Sequence, residues 1–369
     1  MSLRLAEGSS VFLDLVRAVV SQLVVIGHAM AFFSVFKPLH YPNVPWIQNI
    51  SVLIFFILSG FVICYTIVIK NSENNGYGFS QFFIDRFSRI FSAFIPALFF
   101  VLAIDTVSII INSEAYRYNS AFNISTFFSN VFMLQDFPWG FPFYEKSIYL
   151  CCTSFGSARP FWTLAIEWWI YMFFGFLFLV FYKKTNLYNS VLIGFLSIVP
   201  LYNAIGGRGN GLTIYWLFGA VIYFLIRMEV FSNINRSAKL MIIIISIFSA
   251  VLRVKSVSMN AYDPIFAFFI ALIFFISIDF FSKVKFSSVL IKTVRLSASY
   301  SFTLYLIHYS IIDFISSVFY KSDGFYPFFL SLIISNGIAF WMGRFTEVGL
   351  TKKIRNILCG DRKLKAIIN

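Results

Sequence analysis

Two ionisable residues, Arg17 and His28, lie inside the first long apolar segment of the chain. Eleven positions is close to three turns of an α-helix, so both side chains fall on one helix face, about 16 Å apart along the axis. Ionisable groups within a membrane helix are costly and usually face the protein interior or a water-filled cavity. A neutral imidazole can act there as a general base or nucleophile, and an arginine can hold a phosphate. The pair predicts a site that runs through a membrane, as group transfer across a bilayer requires.

A carboxylate, Glu167, lies in another apolar segment, which starts near Phe161. The helical rise places it about 9 Å below the membrane surface, at a depth similar to that of His28. An acid and a base at one level can pair, with the carboxylate orienting the imidazole. A structural carboxylate bonded to a neighbouring helix explains Glu167 alone nearly as well.

Two arginines, Arg86 and Arg89, lie at the start of the third apolar segment and are spaced so that they share a helix face. We expect them at the N-terminus of that helix, where the dipole and the free N–H groups add to their charge and favour an anion site. The alternative is ordinary anchoring of the helix at the cytoplasmic surface by basic residues.

Further candidates are less specific. His308 lies in the middle of an apolar segment one turn after Tyr305, and a second catalytic group and a packing histidine are equally defensible. Asp105, within the third apolar segment, is a secondary candidate for the polar pathway. Asp14 lies one turn before Arg17, and a helix-end ion pair between them is the better interpretation of Asp14.

The elements that carry these residues are membrane helices. Hydrophobic residues make up 59% of the 369, charged ones only 12%, and mean hydropathy is +0.81. The fold class is therefore all-α, a polytopic integral membrane helical bundle with about ten spans. The predicted spans are 11–36, 46–69, 88–111, 161–182, 189–204, 211–228, 237–253, 262–281, 299–320 and 325–345. The apolar stretch 121–134 is too short to span and is interpreted as interfacial or re-entrant. We predict a single transmembrane domain over 1–345, followed by a short basic cytoplasmic tail, 346–369.

The distribution of charge predicts the orientation. Most of the 29 Lys and Arg residues fall in connections on the side of the N-terminus, so both termini are expected in the cytoplasm. The formal charge of +13 needs no nucleic-acid partner, because basic cytoplasmic loops suit anionic membrane lipids. The largest connection, about 112–160, is then external, and its aromatic and amide side chains suit either sugar binding or an aromatic belt at the membrane surface.

Five segments occur in order along the chain. They are Leu-Asp-Leu-Val-Arg-Ala through His28, Phe-Phe-Ile-Leu-Ser-Gly-Phe around Ser59, Arg-Phe-Ser-Arg at 86–89, Phe-Trp-Thr-Leu-Ala-Ile-Glu around Trp162, and Ser-Tyr-Ser-Phe-Thr-Leu-Tyr-Leu-Ile-His ending at His308. Together they resemble the membrane-bound acyltransferase family 3, the integral-membrane O-acyltransferases of bacteria. The chain departs from the pattern in having Thr163 where the family has Ser, and in placing Pro96 later after the second arginine.

The resemblance implies a membrane O-acetyltransferase that moves an acetyl group from cytoplasmic acetyl-CoA to a hydroxyl of an extracytoplasmic glycan. Lipopolysaccharide O-antigen, modified at the bacterial inner membrane by a multi-pass enzyme, is the leading acceptor. No metal is expected, and the sequence leaves the oligomeric state open. Under this resemblance the catalytic residues are His28, Glu167 and His308, the residues that hold acetyl-CoA are Arg17, Arg86 and Arg89, and the substrate-binding residues are Tyr305, Trp162 and Ser59.

Two alternatives remain open. The first keeps the acyltransferase but changes the acceptor to an exopolysaccharide or another small glycosylated molecule. The second is a non-enzymatic flippase or transporter of a lipid-linked sugar, which also explains buried charge. A transporter often contains internal repeats, and none is evident in this sequence.

Overall fold

The computed structural model describes residues 4–73, 76–138, 152–230, 234–318 and 324–368, with side chains as far as residue 360. Throughout these ranges the regular structure is helical, and the one β contact is an isolated bridge between Gln135 and Cys152. All ten predicted spans are helices. Nine are long and apolar enough to cross a membrane, and the remaining one, Leu212–Arg227, is shorter. The predicted all-α polytopic fold is confirmed.

The helices are numbered in chain order. They are α1 (Glu7–Phe32), α2 (Ile47–Glu73), α3 (Phe79–Asn112), α4 (Ile124–Val131), α5 (Phe161–Phe176), α6 (Leu187–Ile205), α7 (Leu212–Arg227), α8 (Arg236–Ser256), α9 (Pro264–Ser282), α10 (Ser288–Ala298), α11 (Ser301–Val318), α12 (Phe325–Gly343) and α13 (Thr351–Ile368). Two π-helical segments continue α5 over Leu177–Phe181 and join α12 to α13 over Arg344–Leu350. The helix α4, eight residues long, is too short to span a bilayer, as predicted for 121–134.

The chain forms two compact units. Unit 1 comprises Met1–Ala31, Phe36–Gly76 and Asn203–Ala298, and unit 2 comprises Phe32–Val35, Tyr77–Tyr202 and Ser299–Asn369. Unit 1 contains α2 and α7 to α10 with nearly all of α1. Unit 2 contains α3 to α5, most of α6, and α11 to α13. The single-domain interpretation of 1–345 stays a prediction.

Apolar side chains on the outer face of α8 indicate contact with lipid. Ile244, Phe248 and Leu252 repeat every four residues and are each more than half exposed. This spacing makes one continuous stripe along a helix. A stripe of this kind is stable in hydrocarbon, which supports the placement of α8 as a span.

In unit 1, the close approach of α2 and α7 depends on two glycines. A Cβ added to Gly60 would lie 1.9 Å from the carbonyl oxygen of Trp216, and one added to Gly219 would lie 1.9 Å from that of Ile57. Each glycine therefore meets backbone of the opposing helix. Small residues at such positions let membrane helices pack closely, which gives a structural reason for glycine in the Ser-Gly-Phe sequence.

Replacement of Gly60 by alanine is expected to destabilise the protein by about 1–3 kcal/mol, because the added methyl group must push α2 and α7 apart. The measurement is the melting temperature of the purified protein in detergent. Gly194→Ala is the matched control, since Gly194 also lies within a helix and a Cβ there meets nothing within 4 Å. If both variants melt like the wild type, the close packing at Gly60 is not important for stability.

In unit 2, α3 is the central helix and contacts α5, α11, α13 and the π-helical segment before α13. It begins at Phe79, so the prediction of a span starting at 88 was wrong by nine residues. The physical reason is that the charged residues Asp85, Arg86 and Arg89 interrupt the apolar run near the start of the helix. Two of these charges are nevertheless paired within unit 2, Asp85 with Arg355 and Arg89 with Glu347.

Candidate functional site

Unit 1 carries three of the nine predicted site residues, Arg17, His28 and Ser59. The other six lie in unit 2: Arg86, Arg89, Trp162, Glu167, Tyr305 and His308. The predicted pairing of His28 with Glu167 joins residues of different units and stays a prediction.

Helix α1 is continuous from Glu7 to Phe32, so Arg17 and His28 do share one helix. Both side chains are half-buried. Arg17 Nη1 lies 3.6 Å from Asp14 Oδ1, which confirms the predicted ion pair. This pair is partly exposed at both ends, so it offers only modest stabilisation.

Ser59, on α2, is bonded to its neighbour α7. The indole Nε1 of Trp216 donates a hydrogen bond to Ser59 Oγ over 3.2 Å. Trp216 is fully buried, and an indole N–H needs an acceptor in such a place. The serine therefore has a packing role beside Gly60, and its predicted role in substrate binding stays a prediction.

Glu167 lies in the second turn of α5, and its carboxylate is half-buried. The phenol of Tyr171, one turn later on the same helix, donates a hydrogen bond to Glu167 Oε1 over 2.5 Å. This bond holds the carboxylate in place.

The start of α5 is joined to α11 through hydroxyl groups. Thr163 Oγ1 donates to the carbonyl of Pro160 over 2.8 Å and is also bonded to the hydroxyl of Tyr305. Because the threonine proton is directed to Pro160, Tyr305 is the donor in the second bond. Tyr305 could donate a hydrogen bond to a substrate only if its own bond to Thr163 were broken.

His308 follows Tyr305 by one turn on α11 and is fully buried. Its Nδ1 lies 3.1 Å from the carbonyl of Leu304, which accepts from the ring when Nδ1 carries the proton. The rings of Tyr305 and His308 are 6.0 Å apart between centroids. The structure thus brings together Tyr305 and His308 on α11 and joins them to α5 through Thr163, whereas the predicted role of Trp162 stays a prediction.

A buried carboxylate fixes the segment that leads into α5. Asp105, on α3, accepts hydrogen bonds from the backbone N–H of Ser157 (2.8 Å), from Ser157 Oγ (2.5 Å) and from the phenol of Tyr116 (2.8 Å). Gly156, at φ +50°, lies so close that a Cβ there would be 2.1 Å from Asp105 Oδ2. The secondary candidate Asp105 therefore has a positioning role, because it orients the chain just before Trp162 and Glu167.

The two arginines of α3 do not lie at a helix N-terminus, so that part of the predicted anion site was wrong. The helix begins seven residues before Arg86, and its free N–H groups are confined to its first turn. The dipole and those groups consequently add little at Arg86 or Arg89.

Arg89 has a partner that the sequence did not indicate, Glu347 in the π-helical segment. Arg89 Nη2 lies 2.9 Å from Glu347 Oε2, and the carboxylate side chain is only 1% exposed. Glu347 Oε1 accepts from the backbone N–H and the hydroxyl of Thr303, at 2.8 and 2.9 Å. The carboxylate therefore connects α3, α11 and the π-helical segment.

Arg86 differs from Arg89 in its hydrogen bonding. Its Nε is buried and has no hydrogen-bond partner within the described ranges. Its guanidinium carbon lies 5.9 Å from the centre of the Phe82 ring. Of the two arginines, Arg86 retains the larger unused hydrogen-bonding capacity and is the better candidate for holding an anion.

A second carboxylate near this end of α3, Asp85, is also paired. It accepts from Arg355 Nε over 2.9 Å and from the phenol of Tyr77 over 3.1 Å. Burial, followed by the nearby charge of Asp85, raises the pKa of Tyr77 above its ordinary value. Tyr77 therefore remains a neutral hydrogen-bond donor at physiological pH.

Metal ligation has no support in the part of the chain that is described. No group of three or more His, Cys, Asp and Glu side chains there could hold a metal ion. The arrangement instead offers imidazoles, carboxylates and arginines, which suit proton transfer and anion binding.

Comparison with known proteins gives the family. The model of acyltransferase family 3, described as an acyltransferase domain, matches residues 10–344. The chain is also 30% identical over 163 residues to the peptidoglycan O-acetyltransferase OatA of Listeria monocytogenes, an alignment that covers 41% of this chain and 24% of that relative. The chain thus spans about a quarter of the length of the curated relative that it matches. No solved structure gives a significant match. With most of its length matched by the family model, and with polar groups suited to acyl transfer in its spans, this chain belongs to acyltransferase family 3.

Proposed function

We propose that the protein is a membrane O-acetyltransferase that moves an acetyl group from cytoplasmic acetyl-CoA to a hydroxyl of an extracytoplasmic glycan. The observation that carries the proposal is the family match, because its range 10–344 includes all nine predicted site residues. The similarity to a peptidoglycan O-acetyltransferase adds support for acetyl as the group and a glycan as the acceptor, over the aligned 41% of this chain.

Lipopolysaccharide O-antigen is the acceptor that we favour, with the enzyme in the bacterial inner membrane. Peptidoglycan is the second candidate, because it is named as the substrate of the relative. Both are hydroxyl-rich polymers outside the cytoplasmic membrane, so both require the acetyl group, and not the whole of acetyl-CoA, to cross.

The chemistry assigned to His28 is proton transfer. As a general base, its imidazole takes the proton of the acceptor hydroxyl while the oxygen attacks the acetyl carbonyl. The new C–O bond forms, the C–S bond of the thioester breaks, and the leaving thiolate recovers the proton. A route through acetyl-His28 has the same overall balance, with the imidazole as the first nucleophile. The predicted support of the His28 imidazole by Glu167 stays a prediction.

The phosphates of acetyl-CoA are assigned to arginines at the predicted cytoplasmic side. Arg86 is the principal ligand in this proposal, because its Nε is buried without a protein partner in the described ranges. Arg89, whose guanidinium is bonded to Glu347, chiefly maintains the position of α3. The predicted role of Arg17, in unit 1, as a phosphate ligand stays a prediction.

Replacement of Arg86 by alanine is expected to raise the KM for acetyl-CoA about tenfold to a hundredfold, which is the effect of losing one hydrogen bond to a charged group. The KM for the glycan should change little. The measurement is thiol release by purified protein at varied acetyl-CoA. Arg344→Ala is the matched control, since Arg344 also lies over a phenylalanine ring, at 5.7 Å, but is exposed. Equal effects of the two variants would contradict the assignment.

The proposed function itself is tested by incubating the purified protein with acetyl-CoA labelled in the acetyl group and with O-antigen or peptidoglycan from a deletion strain. Transfer of label to one of the two polymers is the expected result. Translocation of a lipid-linked sugar without consumption of acetyl-CoA would instead support the flippase alternative.

A further inference from the structure

The first turn of α2 places a buried amide against α1 at Gly27, the residue that precedes His28 in sequence. Gln48 is the second residue of α2, and its side chain occupies the space that Gly27 leaves by having no side chain. A Cβ on Gly27 would lie 2.5 Å from Gln48 Oε1 and 3.0 Å from the backbone nitrogen of Gln48. Gln48 is 9% exposed, and its Oε1 has no hydrogen-bond partner in the described part of the chain.

A second polar group lies one turn further along the same face of α2. Ser51 is 1% exposed, and its hydroxyl also lacks a partner among the described residues. A hydroxyl group without a partner is unusual for a serine or threonine in the described helices. The hydroxyls of Thr66, Ser88, Ser108 and Ser246 each donate to the carbonyl four residues earlier. Ser51 does not make this bond, so its hydroxyl remains available.

Two buried polar groups of this kind are costly in a protein that spans a membrane. A buried amide or hydroxyl without a hydrogen bond costs on the order of 1–3 kcal/mol. Apolar side chains would pack better at these positions, because the side-chain oxygens of Gln48 and Ser51 make no hydrogen bond within the described residues. Their presence on α2, which packs at Gln48 against the helix that carries His28, favours a ligand that completes their hydrogen bonds.

The hydrogen-bonding properties of Gln48 and Ser51 indicate which kind of ligand could satisfy them. The amide oxygen of Gln48 is an acceptor and requires a donor, whereas the thioester and the acetyl carbonyl offer only acceptors. A sugar offers several hydroxyls, each of which can donate to Gln48 and accept from Ser51. Both residues also lie at the end of α2 next to the 33–46 connection, which the charge distribution predicts to be external.

We infer that Gln48 and Ser51 form a subsite in unit 1 that binds hydroxyl groups of the acceptor glycan and determines which hydroxyl reaches His28. This inference rests on the proposed function. It assigns acceptor binding to two residues on α2, and it assigns no part of acetyl-CoA binding to them.

The test compares Gln48→Met and Ser51→Ala with the wild type, using purified full-length protein, acetyl-CoA and O-antigen from a deletion strain. Methionine keeps the length of glutamine and removes its hydrogen bonds. We expect each variant to raise the KM for O-antigen about fivefold to tenfold, the effect of one lost neutral hydrogen bond. The KM for acetyl-CoA should stay within twofold. Ser335→Ala is the matched control, since Ser335 is another fully buried hydroxyl without a partner in the described ranges, on α12.

The melting temperature separates binding from a structural role. If the two side chains serve only the glycan, removing them leaves the melting temperature unchanged or raises it, because unsatisfied buried groups are lost. A lowered melting temperature with equal effects on both substrates overturns the inference, as does an unchanged KM for O-antigen. A wild-type protein that transfers no acetyl group to O-antigen overturns the O-antigen assignment and this inference together. An active wild type with unaffected variants overturns only the inference.

Discussion

Replacement of His28 by alanine is expected to lower acetyl transfer by about 10²–10⁴-fold, which is the usual contribution of a positioned general acid–base. The protein should still insert in the membrane and fold, because the side chain is only half-buried in the last two turns of a long helix. The measurement is the initial rate of labelled acetyl transfer at saturating acetyl-CoA, with thermal melting measured on the same preparation.

The matched control for His28 is His40→Ala. His40 lies in the connection between α1 and α2, where its ring contacts that of Trp46 at 6.2 Å between centroids. This variant should retain the wild-type rate. A His28→Ala protein that transfers acetyl groups at the wild-type rate would remove His28 from the chemistry.

Glu347→Ala should cause the largest loss of stability among single substitutions in unit 2. The substitution leaves the guanidinium of Arg89 without its partner and removes the acceptor of the Thr303 N–H and hydroxyl. Breaking a buried ion pair costs about 3–5 kcal/mol, and the partial exposure of Arg89 places the expected loss near the lower value. The measurement is the melting temperature of purified protein, together with the yield of folded protein from membranes.

A double-mutant cycle tests the mechanism of this loss. Arg89→Ala alone leaves the buried carboxylate uncompensated, so the double variant should lose less stability than the sum of the two single variants. Glu114→Ala, at an exposed carboxylate just after α3, is the control and should melt like the wild type. Additive losses, or a Glu347→Ala protein as stable as this control, would show that the pair does not stabilise unit 2.

The membrane spans could be predicted from sequence because the hydropathy of a segment follows directly from its amino-acid composition. The start of α3 could not, since Asp85, Arg86 and Arg89 interrupt the apolar run and hydropathy alone places them outside a span. Asp85 and Arg89 are compensated by partners far along the chain, Arg355 and Glu347, and no local pattern connects residues so distant in sequence.

The candidate site, too, could be predicted from the sequence only in part. The positions of Arg17 and His28 on one helix followed from their spacing, since a helix has a fixed period. The glycines that allow α2 to approach α7 and α1 could be recognised only once the neighbouring helices were known. Gly60 lies in the Ser-Gly-Phe sequence, but the structural reason for glycine there is the nearby backbone carbonyl of Trp216 on α7. Gln48 gave no signal in the sequence, because one glutamine at the start of an apolar segment resembles an ordinary interfacial residue.

The most direct test of the central claim is the O-acetyl content of the host's surface glycans, measured by proton NMR on purified O-antigen and peptidoglycan. The strains are the wild type, a deletion, and the deletion complemented with the wild-type or the His28→Ala gene. The proposed function predicts that one glycan loses its acetyl signal in the deletion, regains it with the wild-type gene and does not regain it with His28→Ala. Unchanged acetyl content of both glycans in the deletion strain would contradict it.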